Sequence, residues 1–182
     1  MKRIIAVILL AAMLAALAAC TGKNTEYDPE GYKALLDNAI KLPSEYSDEL
    51  FEKVCFPGET SYFVDYYKNE KNDDYLRLIR EDYGKIADHY AEVYGEDWKL
   101  SYVINEAQVK DAEGIEQYKA FDSFYFKTYG VNVDRIQAVT FAKVTVSISG
   151  SKDSNSKEKT VQCFCVDGVW YSFYAKRLGV NL

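Results

Sequence analysis

Histidine occurs once and proline three times in 182 residues, and no segment is dense in lysine or arginine. A single His89 excludes a multi-histidine metal centre, and no serine or cysteine is placed by local sequence to be its nucleophile. His89 reads as a solvated helix residue. With 22 basic against 28 acidic residues and a net charge of -6, the chain lacks the cationic surface that phosphate neutralisation needs, so no nucleic acid is expected as a partner. The sequence has no glycine-rich phosphate loop, dinucleotide fingerprint, G-x-S-x-G elbow or H-E-x-x-H motif, so no cofactor and no metal are expected. Asp73-Asp74 and Asp153-Ser154-Asn155 lack the spacing and glycine of a calcium loop and read as a helix cap and a hairpin tip. With 48% apolar and 27% charged residues, disorder, a collagen-like chain and a multi-span membrane protein are excluded. The length suits one domain with a short appendage.

The appendage is at the N-terminus. Lys2 and Arg3 precede an unbroken apolar run, Ile4 to Ala19, which is a secretory h-region and too short for a permanent span. Leu17-Ala18-Ala19-Cys20 resembles a bacterial lipobox. That resemblance implies a diacylglycerol-modified Cys20 thiol, cleavage just before it, and a body held outside the membrane by several acyl chains. The rival reading is an ordinary signal peptide, with a product secreted free. Residues 1–19 are thus the expected signal peptide, 20–27 the lipidated cysteine and polar tether, and 28–182 one domain. The expected location is the extracytoplasmic face of the cell membrane, or of the outer membrane where the host has one.

With Cys20 assigned to lipid, Cys55, Cys163 and Cys165 remain, an odd number. Either all three are buried free thiols or Cys55 pairs with one of the other two; Cys163 and Cys165 lie two apart on one strand face and pair poorly with each other.

Periodicity organises the rest. Asp28-Pro29 opens a helix with Tyr32, Leu35, Leu36, Ala39 and Ile40 on one face, stopping at Leu42-Pro43. A short helix carries Leu50, Phe51, Val54 and Cys55, and Tyr62, Phe63, Tyr66 and Tyr67 form a third stripe. The longest helix starts near residues 72–74 and ends at Gly95, with Leu76, Ile79, Tyr83, Ile86, Tyr90 and Val93 as its apolar face. From Trp98 the period becomes two, with Leu100, Tyr102 and Ile104 on the same side. A helix over 114–129 follows, then strands over 135–149, 160–166 and 169–175. Residues 150–159 read as a polar loop, and Asp167-Gly168 as a two-residue hairpin turn. The expected fold is α+β, with N-terminal helices packed on one curved antiparallel sheet of about four strands. The order strand, helix, strand, strand, strand, the long strand around Gln137–Val146 and the closing hairpin Val166–Tyr171 resemble the cone-shaped nuclear-transport-factor-2-like (cystatin-like) fold, common in bacterial surface lipoproteins. That fold hosts unrelated functions and implies none by itself.

Enzymes of the resembled fold use a buried Asp with a Tyr hydroxyl, which makes Asp122, near Tyr118 and Tyr125, the candidate base. The other reading pairs Asp122 with Lys119 on the solvent face. The conspicuous bias is aromatic: 16 Tyr, 9 Phe and 2 Trp. Tyr62, Tyr66, Tyr67, Trp98, Trp170 and Tyr174 are the candidates to line the mouth of the cone and bind a small molecule, a glycan or a protein partner. The sequence favours a non-catalytic, lipid-anchored binding module. The alternatives are a small enzyme of the same fold using an Asp/Tyr pair, and a structural or assembly lipoprotein with a filled cone.

Overall fold

One strand organises the molecule. In the computed structural model, which describes residues 26–110, 114–116, 118 and 123–173, β3 (Ile136–Ser149) alternates buried and more exposed residues along most of its length. On one edge it pairs antiparallel with β1 (Lys99–Glu106) and β2 (Val109–Lys110), and on the other with β4 (Ser154–Val166), which pairs in turn with β5 (Val169–Tyr171). Glu106 stands opposite Lys143 and Val109 opposite Thr140, so β2 continues β1 along the same edge after an irregularity beyond Ile104. Thr140 Oγ1 donates to the Gln108 carbonyl at 3.0 Å across that break. The result is a curled antiparallel half-barrel in an α+β, cone-like fold.

Among the described residues, four α-helices precede the sheet: α1 (Tyr32–Glu45), α2 (Asp48–Glu52), α3 (Pro57–Tyr66) and α4 (Tyr75–Tyr94). A π-helical turn, Tyr67–Lys71, prolongs α3 and ends at Asn72 in the left-handed region. Local chemistry sets several boundaries. The Ser47 side chain accepts from the Leu50 N–H at 3.1 Å and caps α2, and Asp74 accepts from Leu76 and Arg77 and caps α4. Gly95, at φ 106°, ends α4 where a side chain would be strained. After the sheet's first edge come helical residues 114–116 and 118 and then α5 (Ser123–Thr128).

Neighbouring residues of a strand point to opposite faces, and both faces of the sheet are used. Ala138, Ala142, Val144 and Val146 join Cys163 and Cys165 in a core with Leu35, Leu36 and Leu42 of α1 and with Ile79 and Tyr83 of α4. On the other face, Val139 and Phe164 pack with Ile115, Tyr118, Phe126, Tyr129 and Phe173. Past this second cluster the same face is polar. There Thr145 lies opposite Glu158 and Ser147 opposite Ser156.

Three elements depart from the periodicity, the first being the closing strand, expected over 169–175, which is β5 only as far as Tyr171, with Ser172 in an isolated bridge to Cys55. The helix α1 continues through Pro43 to Glu45, because Leu42 and Pro43 are themselves buried and their packing offsets the lost backbone bond. The expected loop 150–159 is mostly strand: β4 starts at Ser154, and its backbone pairs along β3 although its first residues are exposed. The turn at residues 167–168 is as expected, with φ of 54° at Asp167 and 83° at Gly168.

Candidate functional site

Tyrosines converge on α3. Its first turn has Pro57 at the start, where no donor is lost, followed by Gly58. A Cβ on Gly58 would stand 2.0 Å from the Tyr129 carbonyl oxygen, so glycine allows α3 to lie flush against the turn at Tyr129–Gly130. The helix then presents Tyr62 and Tyr66, with rings nearly parallel at 8° and centroids 6.5 Å apart. Both are exposed, at 41% and 38%. Tyr67 meets Tyr66 edge-on at 5.6 Å and stacks on Tyr75 of α4 at 5.5 Å, and Lys71 Nζ lies 5.9 Å over the Tyr66 ring. The inner edge of this platform is pinned by Tyr129, whose ring is 5.5 Å from Tyr62 and 5.9 Å from Phe63.

A cavity of about 430 Å³ opens beside the start of α3, lined by Glu52, Cys55, Pro57, Thr60 and Ser61. One turn before Tyr62 and Phe63, Glu59 turns inward and is 7% exposed. Its Oε2 has no hydrogen-bond partner among the described residues. Burial pushes its carboxyl up to about 8, so it is largely neutral at pH 7. Burial, and then the nearby Glu59, raise the Cys55 thiol and the Tyr129 phenol, the latter to about 12. Burial, then Cys55 and Glu59, also raise the Tyr75 phenol. The carboxyl therefore sits among groups that are themselves neutral at pH 7.

The six aromatic candidates separate. Tyr62, Tyr66 and Tyr67 are brought together. Trp170 is 5% exposed and part of the core. Trp98 packs edge-on to Tyr90 at 5.2 Å in a third cluster with Tyr94 and Ile148. Tyr174, Asp122 and Cys20 lie outside the described residues. His89 is exposed on α4. Cys55, Cys163 and Cys165 are all free and buried, which decides between the two cysteine readings. Among the described residues, no three of His, Cys, Asp and Glu gather as metal ligands, and no helix is long and apolar enough to cross a membrane.

Sequence reasoning missed Glu59. An acid in the first turn of a helix reads as a partner for the helix dipole. The available signal was its spacing, since Glu59 shares a helical stripe with Phe63 and Tyr66. Comparison with protein-family models, with curated proteins and with solved structures finds no match to this chain.

Proposed function

We propose that this chain is an extracytoplasmic binding module, anchored by lipid on Cys20, that holds a saccharide on the tyrosine platform of α3. The observation that carries the reading is the exposed, near-parallel pair Tyr62 and Tyr66 on the helix that also supplies Thr60 and Ser61 to a cavity of about 430 Å³. Rigid aromatic faces receive the C–H face of a pyranose at low entropic cost, and hydroxyl and carboxylate groups such as Thr60, Ser61 and Glu52 suit its hydroxyls. The half-barrel is compatible with the cone-like lipoprotein domain that the closing hairpin resembles. The charged start, the apolar run and the small residues before Cys20 support the anchor.

Titration of the full-length protein with a panel of soluble oligosaccharides, followed by tyrosine fluorescence, tests the binding reading. The expected result is binding by wild type that weakens about tenfold or more in Tyr62→Ala and in Tyr66→Ala. Binding that both variants retain at wild-type strength, or no binding across the panel, overturns it. Detergent partitioning of wild type and Cys20→Ala tests the anchor: wild type is expected in the detergent phase and the variant in the aqueous phase.

A further inference from the structure

The buried carboxyl of Glu59 has no role in the platform's contacts, yet it sits at the joint that sets the platform's position. We propose that Glu59 is a proton-operated latch: as the neutral acid it lets α3 seat against the Tyr129 turn, and on losing its proton it loosens that seat and with it the Tyr62–Tyr66 platform.

The argument begins with the joint. Gly58 brings the α3 backbone against the Tyr129 carbonyl, and the next residue is Glu59, 7% exposed with Oε2 unpartnered among the described residues. An orphaned acceptor at that depth is tolerable on a neutral carboxylic acid and costly on a carboxylate, which must regain hydration or a cation. Among the described residues, no cation is supplied by the groups that bear on it. The segment before α3 contributes the Cys55 thiol, α4 contributes Tyr75, and the turn after α5 contributes Tyr129. Around these stand Tyr67 beside Tyr75, and Tyr62 and Tyr125 beside Tyr129. Each would become an anion on titrating, so none compensates a negative Glu59.

Water from the neighbouring cavity supplies that compensation. Cys55 both adjoins Glu59 and lines the cavity at the start of α3, so a small outward movement of the first turn of α3 opens a path from that cavity to the carboxylate. The movement is felt at the platform because Tyr129 abuts Gly58 through its carbonyl and Tyr62 through its ring. The effect on a saccharide rests on the binding reading, whereas the latch itself does not.

A carboxyl ¹³C titration of the full-length protein in detergent micelles tests the latch without any ligand. The expected result is one glutamate carboxyl with a midpoint near 8, absent from Glu59→Gln and kept in Glu92→Gln, which alters an exposed carboxylate on α4. The Tyr62 and Tyr129 ring signals move with that midpoint in wild type and stay still in Glu59→Gln. Exchange of the α3 amide protons, corrected for its intrinsic dependence on pH, rises through the same midpoint in wild type, which keeps the test independent of whether Glu59→Gln folds. A Glu59 that titrates with the ordinary carboxylates, or rings and amides that do not respond when it titrates, overturns the latch. A platform that binds no saccharide overturns only the binding reading, because this titration contains none.

Discussion

The indole Nε1 of Trp170 donates to the backbone carbonyl of Asp28 at 2.7 Å, tying β5 to the turn that opens α1. The ring meets Tyr32 edge-on at 5.8 Å and Tyr27 at 6.3 Å, and the close approach depends on Gly31. A Cβ there would stand 2.6 Å from the indole Cδ1. Gly31 has an ordinary helical backbone, with φ -60°, so alanine is not strained by conformation and its cost is the clash alone. Gly31→Ala is expected to lose about 1–3 kcal/mol in urea unfolding. Trp170→Phe loses about 1 kcal/mol for the missing hydrogen bond, with a further loss for the smaller ring.

Two further glycines separate close approach from mere flexibility. Gly58 faces a backbone oxygen that cannot move aside, so Gly58→Ala is expected to cost about 2 kcal/mol or more, as overpacked sites do. Gly84 lies in the middle of α4, exposed, and a Cβ there would have open space for 4 Å around it. Gly84→Ala therefore gains about 0.5–1 kcal/mol from helix propensity. Thermal unfolding of the two variants beside wild type checks both signs at once.

Sequence pattern was informative where burial is one-sided. The apolar stripe of α4 as far as Tyr90, the alternation in β1 and β3 and the positive-φ turn at Asp167-Gly168 all follow from period and turn chemistry, whereas at the end of α4 Tyr94 is buried and Val93 exposed. It failed where backbone pairing outruns side-chain burial: the first half of β4 is exposed, and only its register with β3 identifies it as strand. At the site, Tyr62, Tyr66 and Tyr67 were visible as one stripe. Trp98 and Trp170 looked equivalent to them in composition, but a tryptophan's place in a core is fixed by tertiary packing that no local period encodes. Glu59 was hidden for the same reason, since its environment is assembled from residues 55, 75 and 129.

That environment gives stability a definite slope against pH. The folded-state value of Glu59, about 8, lies above the ordinary carboxylate value of 4.5, so between the two the native state holds a proton that the unfolded chain has released. Its contribution is fully present below the unfolded value and is lost as pH rises through the folded value. The slope from this group is negative and at most about 1.4 kcal/mol per pH unit. In urea unfolding at several pH values across this window, Glu59→Gln is expected to gain stability relative to wild type steadily from acid to alkaline pH. A difference that stays constant with pH contradicts the buried acid.

Thiol counting joins the core to the anchor. Burial pushes Cys163 up to about 12 and Cys165 up to about 11, and it raises Cys55 well above the ordinary thiol range. In the native protein the reactive thiolate is therefore scarce as well as enclosed, and a disulfide-exchange reagent is expected to react slowly. In denaturant without reductant all three core thiols become available, because none is bridged. A fourth cysteine, Cys20, completes the sequence, and under the proposed anchor a thioether to diacylglycerol removes it from the count. Denatured wild type isolated from membranes is thus expected to give three thiols, the same number as Cys20→Ala. Four in wild type and three in the variant leave Cys20 unmodified and refute the lipid anchor, while one thiol in either protein reveals a bridge and contradicts the three free core thiols.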